Sequence, residues 1–301
     1  MPRLSDIQIR DPFVLREHDT YYLFGSTDKD IWHSPGVGFD AYRGAGPTIP
    51  TELEGPFHVF RPPAGFWSRT NFWAPEVHRY RNEHYMLATF LPTSGHRGTA
   101  VLRSTKGALG PYEEWSTGPV TPAEWECLDG TLFVDGHDDP WLVFCHEWVQ
   151  VGDGEVCAVR LTPDLRSAAG EPLVLFTGSE APWAAVQEGR PPHDHAYVTD
   201  GPFLHRYADG RLSTLWSSYG PDGNYLIGEA FSETGLVTGP WRQSRCPLYD
   251  ADAGHGMLFR SSSEDLYLAI HTPNDSPRER PIFVQVAETP EGLVTTGTVL
   301  S

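Results

Sequence analysis

The sequence predicts an all-β fold, a five-bladed β-propeller, from two observations. First, 30 Gly and 27 Pro divide the 301 residues into short runs rich in aromatic and aliphatic side chains, and long helical periodicity is missing. Second, one pattern occurs five times: a short apolar run, a polar turn and a second apolar run, as in a β-hairpin. The five copies begin at Asp11, Ala74, Asp129, Asp200 and His255.

The spacing of the copies supports blades of four strands each. Successive copies start 63, 55, 71 and 55 residues apart, which leaves room for four strands and their turns. Five such blades account for residues 1–301. We therefore expect a single propeller domain and no accessory module.

The first strand of each blade in a propeller lies nearest to the central channel, so equivalent positions in different blades face one another. We align the five starting residues as equivalent, and three of them are carboxylates: Asp11, Asp129 and Asp200. Asp200 precedes Gly and Pro, which is also a common turn signal. Because turn chemistry alone would not place acids in register across blades, we expect the three carboxylates to form one site at the channel mouth.

Composition and charge exclude several kinds of partner. The 22 basic and 40 acidic residues give a formal net charge of −18, which would repel a phosphate backbone, so nucleic acid is not expected. No apolar run approaches the ~18–20 residues of a membrane-spanning helix, and the first residues, MPRLSDIQIRDPF, lack the apolar stretch of a signal peptide. We expect a cytoplasmic protein without a membrane partner and make no prediction of its oligomeric state. The cysteines show no Cys-X-X-Cys spacing and are expected to be reduced: Cys127, Cys145, Cys157 and Cys246.

Three carboxyl groups in one pocket suit the hydrolysis of a glycosidic bond. That reaction needs one carboxyl group that stays protonated and one that stays ionised. A third carboxylate raises the pKa of the proton donor by repulsion between like charges. The same groups would suit a hard cation such as Ca²⁺. We favour catalysis, because facing strands spread the acids around a channel, whereas a metal-binding loop would concentrate them in one segment.

Five segments in blade order resemble glycoside hydrolase family 43, the five-bladed arabinofuranosidases and xylosidases: IRDPFVL, GFWSRTNFWAPEVHRY, ECLDGTLFVD, YVTDGPFL and GHGMLF. The resemblance covers essentially the whole chain and implies an inverting mechanism. It implies that Asp11 is the general base, that Asp129 tunes and orients the acid, and that Asp200 is the general acid. The family usually has Glu in a Glu-Gly-Pro motif at the last position, so Asp200 is a departure. The literal Glu-Gly-Pro at Glu54 lies between blades, and we interpret it as a structural turn.

Other residues are candidates for contacts with the substrate. Trp73, Glu76, Glu147 and His271 are candidate substrate-binding residues. Core packing is the alternative for Trp73, and a buried ion pair is the alternative for Glu147, which could also substitute for the acid. Weaker pocket candidates follow: Phe24, Trp148 and Trp183.

The resemblance also implies a metal ion, commonly calcium, near the propeller axis. His255 is the residue at the matching motif, so it is the candidate metal-site residue, with a hydrogen-bonded channel histidine as the alternative. The segments PPHDHAY and GHDDP are rich in potential ligands, but their spacing matches no metal site, and we interpret them as solvated loops.

The resemblance implies an exo-acting glycosidase that releases terminal furanosyl residues, with α-L-arabinofuranosides as the leading substrate. β-D-Galactofuranosidase and β-D-xylosidase activities are the alternatives within the family. A carbohydrate-binding propeller without catalysis is the alternative of another class, since Asp200 replaces the usual Glu, and a protein-interaction propeller is a third. The expected partner is an oligosaccharide.

Overall fold

The computed structural model describes residues 1–301 and confirms the five-bladed β-propeller: it contains five antiparallel sheets of four consecutive strands. The first blade consists of β1 (Arg10–Glu17), β2 (Thr20–Ser26), β3 (Phe39–Ala45) and β4 (Glu54–Phe60). The second consists of β5 (Ser68–Tyr80), β6 (Glu83–Pro92), β7 (Gly98–Ser104) and β8 (Glu113–Pro119). The third consists of β9 (Cys127–Val134), β10 (Pro140–His146), β11 (Glu155–Arg160) and β12 (Leu173–Thr177).

An additional hairpin separates the third and fourth blades. It consists of β13 (Gln187–Arg190) and β14 (His193–Ala196), so the segment PPHDHAY forms part of an exposed hairpin rather than a loop. The fourth blade consists of β15 (Asp200–Arg206), β16 (Leu212–Tyr219), β17 (Tyr225–Ser232) and β18 (Trp241–Gln243). The fifth consists of β19 (Gly254–Arg260), β20 (Leu266–Thr272), β21 (Arg280–Thr289) and β22 (Gly292–Leu300).

Helical structure is limited to short connections. These are the helix α1 (Trp148–Val151) and two 3₁₀ turns, Leu4–Asp6 and Gly178–Glu180. None of them has the length or apolar character to cross a membrane. The first 3₁₀ turn connects the first and fifth blades. Its Leu4 N–H donates to Thr51 O of the first blade (3.0 Å), and Arg280 Nε of the fifth blade donates to Ser5 O (3.0 Å).

The largest core cluster fills the space between the first and second blades with aromatic rings. Phe72 lies at its centre and is 2% exposed. Its ring centroid lies 4.9 Å from that of Phe90, 5.8 Å from Phe66, 6.1 Å from Phe39 and 6.2 Å from Phe60, mostly in tilted or edge-to-face arrangements. Such pairs add to the hydrophobic burial of each ring, so this cluster fixes the angle between two blades that both contribute to the axial pocket.

We expect Phe72→Ala to destabilise the protein by about 3–5 kcal/mol, because it removes a fully packed ring and leaves a cavity. Urea denaturation measures the change. Leu173→Ala is the control, since Leu173 is 43% exposed and its truncation is expected to change stability by about 0.5 kcal/mol or less. Equal effects of the two substitutions would show that the cluster does not hold the blades together.

Candidate active site

A β-bulge interrupts the inner strand of every blade, and the strand pairing shifts register across it. One residue in each bulge adopts a left-handed backbone: Asp11 (φ 55°), Ala74 (46°), Asp129 (56°), Gly201 (53°) and His255 (47°). This conformation is strained for any residue but Gly and persists where the surroundings enforce it, often at functional sites. We refer to these five as the bulge residues.

The bulges correct the alignment of the fourth blade by one residue. Gly201, not Asp200, is equivalent to the other four starting residues. Asp200 precedes the bulge and pairs with Ser217, just as Arg10 precedes its bulge and pairs with Ser26. Proline follows the bulge residue in three blades, at positions 12, 75 and 202, so an alignment on proline would have given this register.

The backbone N–H of each bulge residue donates a hydrogen bond toward the preceding blade. Four of the acceptors are side chains at the same position of the second strand, opposite the residue that precedes the bulge. The bonds are Ala74 N–H to Ser26 Oγ (2.8 Å), Asp129 N–H to Thr89 Oγ1 (2.9 Å), His255 N–H to Ser217 Oγ (2.9 Å) and Asp11 N–H to His271 Nδ1 (3.2 Å). The fifth, from Gly201, goes instead to Asp129 Oδ2 (3.0 Å). Together these bonds form a closed ring around the axis, which we call the bulge ring.

A pocket of about 440 Å³ opens above the bulge ring and contains all three predicted carboxylates. Its volume lies toward the small end of the range for ligand pockets, about 300–1,000 Å³. The floor of the pocket consists of bulge residues and of residues that directly precede a bulge: Arg10, Asp11, Trp73, Leu128, Asp129, Asp200 and His255. The rim includes Ile31, Trp32, Glu147, Trp148, Arg190, Val198, Tyr219, Tyr225 and residues 274–276.

Asp11 is buried and ionised at the floor of the pocket. Its Oδ2 accepts a hydrogen bond from Ser26 Oγ (2.7 Å), and its Oδ1 lies 3.2 Å from His255 Nδ1 and 3.7 Å from Arg10 Nε. Burial opposes ionisation, but the charge and hydrogen bond of His255, together with Arg10, hold the pKa of Asp11 well below its usual range. Asp11 is therefore suited to act as a base.

His255 lies between two carboxylates. Its Nδ1 is 3.2 Å from Asp11 Oδ1 and 3.5 Å from Asp129 Oδ2. Burial lowers its pKa, but these two charges outweigh burial and raise it to about 10, so the imidazole is a cation. Gly201 packs directly against it, because a Cβ there would lie 2.8 Å from the His255 ring.

The candidate metal site at His255 does not have a ligand set. No group of three or more His, Cys, Asp or Glu side chains is arranged to hold a metal ion. The ring nitrogen Nδ1 of His255 already pairs with the carboxylates of Asp11 (3.2 Å) and Asp129 (3.5 Å). These side chains do not fit a calcium cage, and the calcium ion stays a prediction from the family resemblance.

Asp129 connects the third and fourth blades. Its Oδ2 accepts the Gly201 N–H and lies beside His255. Burial and the nearby charge of Asp11 raise the pKa of Asp129, against the lowering effects of His255 and of the Gly201 hydrogen bond. Its carboxyl group is therefore harder to ionise than that of Asp11.

Asp200 has the opposite electrostatic character to Asp11. Burial and the charge of Asp129 raise its pKa to about 7, although Tyr225 Oη donates to Asp200 Oδ2 at 2.9 Å and favours the ionised form. Arg10 and His255 also lower the pKa, by smaller amounts. A carboxyl group that is protonated near neutral pH can donate a proton, which is the property a general acid needs.

Glu147 lines the pocket but is paired with a cation. Its Oε2 lies 2.9 Å from Arg97 Nη1, and burial raises its pKa to about 7 against the effect of Arg97. The Arg97 guanidinium also covers the Trp73 ring at 4.7 Å, and Trp73 Nε1 donates to Ile31 O (2.7 Å). Trp73 lines the pocket and also belongs to a buried hydrophobic cluster, so its contact with a substrate stays a prediction, whereas the ion pair considered for Glu147 is present.

Two predicted substrate-binding residues lie outside the pocket lining. Glu76 is buried and its Oε2 is 2.8 Å from His78 Nε2, away from the lining residues. His271 is fully buried behind Asp11, with Nδ1 accepting the Asp11 N–H and Nε2 3.3 Å from Asn274 Oδ1. Burial and Arg10 lower the pKa of His271 to about 3, so it is neutral. Its position permits it to orient Asp11, not to touch a substrate.

Of the other pocket candidates, one lies in the pocket and two lie in the core. Trp148 lines the pocket. Phe24 is fully buried in the core, and Trp183 packs against Trp216 at a centroid distance of 4.6 Å. Glu54 lies exposed at the start of the outer strand β4 and pairs with Arg43, which agrees with a structural role for its Glu-Gly-Pro sequence.

Sequence reasoning missed several residues of the pocket, among them Arg10, Trp32, Tyr219 and Tyr225. Arg10 occupies the pre-bulge position and could have been found by considering that position in every blade. Trp32 packs edge-on against Trp73 (5.0 Å) and covers the Arg10 guanidinium (5.3 Å). Tyr225 and Tyr219 belong to the ends of β17 and β16, and no local signal in the sequence identifies them as pocket residues.

Comparison with known proteins agrees with this geometry. The family model described as glycosyl hydrolases family 43 matches residues 5–288. An endo-arabinase from Bacteroides thetaiotaomicron is 35% identical, with a TM-score of 0.86, and the alignment covers 96% of this chain and 98% of that one. An α-L-arabinofuranosidase from Lactobacillus brevis shares the fold at a TM-score of 0.72, with 16% identity over 97% of this chain and 94% of that one.

A curated relative is more distant. The extracellular exo-α-(1→5)-L-arabinofuranosidase ArbA of Cellvibrio japonicus is 22% identical over 182 residues, which are 55% of this chain and 47% of the relative. The match thus spans about half the length of that protein. Because the family model matches nearly the whole chain and the Bacteroides arabinase aligns with it from end to end, the protein belongs to glycosyl hydrolases family 43.

Proposed function

We propose that the protein is an inverting glycoside hydrolase that releases terminal α-L-arabinofuranosyl residues from oligosaccharides. The observation that carries the proposal is that two carboxyl groups in one pocket have pKa values shifted in opposite directions. Asp11 is held ionised and the pKa of Asp200 is raised to about 7. Family membership and the arabinan-degrading names of two relatives support the class of substrate.

The two carboxyl groups would act on opposite sides of the glycosidic bond. Asp11 removes a proton from a water molecule while the oxygen of that water bonds to the anomeric carbon. Asp200 gives its proton to the leaving oxygen as the bond from that oxygen to the anomeric carbon breaks. A single displacement of this kind inverts the anomeric configuration. Asp129 opposes the ionisation of Asp200 through its charge, and so keeps the donor protonated before the reaction.

Arg10 is the residue best placed to hold the hydroxyl groups of the sugar. Its side chain is 10% exposed, lines the pocket and makes no hydrogen bond, while its charge is balanced by Asp11 at 3.7 Å. A guanidinium has five N–H donors, and those of Arg10 are accessible from the pocket. Hydroxyl oxygens of a bound sugar would supply the missing acceptors.

Contacts between loops support action at a chain end. Asn274 Nδ2 donates to Tyr219 Oη (3.1 Å), and the Arg190 guanidinium lies over the Tyr219 ring (5.6 Å). These contacts join the fifth blade, the fourth blade and the β13–β14 hairpin along one side of the pocket. A pocket bounded in this way favours a terminal residue over the middle of a polysaccharide.

Endo-acting arabinanase is the second candidate function, because the relative with 35% identity is named an endo-arabinase. The two functions differ in their first product. We expect the purified protein to release arabinose from reduced arabino-oligosaccharides, with no early fall in the viscosity of linear arabinan. Early release of internal fragments would favour the endo function. No turnover of arabinofuranosides, xylosides or galactofuranosides, with binding of the sugars in calorimetry, would instead support a carbohydrate-binding propeller.

We expect Asp200→Asn to lower kcat by about 10²–10⁴-fold on arabino-oligosaccharides, because these leaving groups require a proton donor. The loss should be much smaller on 4-nitrophenyl arabinofuranoside, whose leaving group needs little protonation. Steady-state kinetics on both substrates measures the contrast. Glu147→Gln is the matched control, since it also replaces a pocket carboxyl group by an amide. If Glu147→Gln has the leaving-group dependence and Asp200→Asn does not, Glu147 is the acid.

We expect Tyr225→Phe to move the alkaline limb of the pH–rate profile to higher pH. Tyr225 donates to Asp200 and stabilises the ionised form. Loss of this bond raises the pKa of Asp200 further, by about one unit for a hydrogen bond to a charged group. The enzyme then keeps its proton donor at a pH where the unmodified protein has lost it. Measurement of kcat/KM against pH tests this, and a limb that moves to lower pH would contradict the assignment of the acid.

A further inference from the structure

The bulge ring has one exception, and it involves Cys145. Four bulge N–H groups donate to a Ser, Thr or His side chain of the preceding blade, whereas the Gly201 N–H donates to the Asp129 carboxylate. We propose that the lack of a strong hydrogen-bond acceptor at position 145 decides where Asp129 is held: with Cys145 at the ring position of the third blade, the Gly201 N–H goes to Asp129 and ties it to the segment that carries Asp200. The consequence for turnover rests on the proposed function, but the hydrogen-bond arrangement does not.

The strand register identifies Cys145 as the equivalent of the four acceptors. Each acceptor lies opposite the residue that precedes a bulge. The pairs are Ser26 with Arg10, Thr89 with Trp73, Ser217 with Asp200 and His271 with Gly254. In the third blade the corresponding pair is Cys145 with Leu128. The position that should accept the Gly201 N–H is thus occupied by a sulfur.

A thiol cannot replace the other four acceptors. Sulfur is a weak acceptor and S–H a weak donor, so a carboxylate oxygen competes successfully for a backbone N–H. Cys145 is fully buried, and burial keeps its pKa well above the usual value, so it remains a neutral thiol. Asp129 Oδ2 takes the hydrogen bond in its place at 3.0 Å.

The first blade shows what a hydroxyl group does at this position. Ser26 Oγ accepts the Ala74 N–H (2.8 Å) and donates to Asp11 Oδ2 (2.7 Å), so the carboxylate is held within its own blade. A hydroxyl group at position 145 would do the same for Gly201 and Asp129. The Asp129 carboxylate would then be held by the third blade, and its link to the fourth blade would be lost.

The link joins two groups with coupled roles in the proposed reaction. Gly201 follows Asp200 directly, so a hydrogen bond from the Gly201 N–H fixes the Asp129 carboxylate relative to the proton donor. The charge of Asp129 contributes to the raised pKa of Asp200. Loss of the link should therefore affect substrates that need protonation, and should spare substrates that do not.

The test compares Cys145→Ser with Cys145→Ala. We expect Cys145→Ser to lower kcat on arabino-oligosaccharides by about tenfold or more, a fraction of the 10²–10⁴-fold attributed to proton transfer, with KM unchanged and turnover of 4-nitrophenyl arabinofuranoside within about twofold. Cys145→Ala offers no acceptor, so the link persists and kcat on both substrates should stay within about twofold. The substitution that better preserves size is thus expected to be the more damaging one.

Cys157→Ser and Cys157→Ala are the matched controls. Cys157 is fully buried in the neighbouring strand β11 of the same sheet and is not part of the bulge ring. These variants measure the general effect of a buried hydroxyl group or a small cavity, with thermal unfolding recorded for all four. A simple packing role for Cys145 predicts that Cys145→Ala is at least as harmful as Cys145→Ser, with no dependence on the leaving group, and that result would overturn the proposal.

A crystal structure of Cys145→Ser separates the proposal from the proposed function. We expect the Gly201 nitrogen to lie within hydrogen-bond distance of the introduced oxygen and away from Asp129. If the bond from Gly201 to Asp129 stays in place, the proposal is wrong, whatever the kinetics show. If the unmodified protein hydrolyses no glycoside, the proposed function fails, and the structure alone still decides the role of Cys145.

Discussion

The hydrogen bond from the N–H of each bulge residue to the blade before it is the interaction on which the site depends. The bulge turns one residue per inner strand into a left-handed conformation, and the N–H of that residue donates to the neighbouring blade. Five such bonds close a circle, so each blade is hydrogen-bonded to both of its neighbours at the axis. Two of the three carboxylates of the pocket, Asp11 and Asp129, stand on this circle, and Asp200 directly precedes its fourth-blade member, Gly201.

The charged groups at the bulge ring form neighbouring pairs of opposite sign. Arg10 and His255 supply two positive charges beside Asp11, and His255 shares its charge with Asp129. Asp200 lies one position before the ring, where Tyr225 is its hydrogen-bond partner and no cation forms a direct ion pair with it. This asymmetry, more than the type of residue, supports the proposed roles of Asp11 as base and Asp200 as acid, since both residues are aspartates.

The sequence was sufficient for the fold and for the three acids, because hairpins are local patterns and the five copies repeat them. It failed at the register of the fourth blade, where Asp200 begins the run but Gly201 occupies the bulge. It also failed for Glu76, which was expected to face the pocket because it lies two residues after Ala74. Side chains alternate between the two faces of a strand, and the bulge between Trp73 and Glu76 adds a residue that shifts this alternation. Tyr225 and Arg97 could not be found at all, because Tyr225 reaches Asp200 from another strand and Arg97 reaches Glu147 from another blade.

The β13–β14 hairpin belongs to no blade, and this has a consequence for how the protein can change. It brings Arg190 to the rim of the pocket without sharing a sheet with any of the three aspartates. Insertions or replacements in the hairpin therefore leave the blade pairing and the circle of hydrogen bonds intact. The shape of this part of the rim can therefore change without a change in the strands that carry the three aspartates.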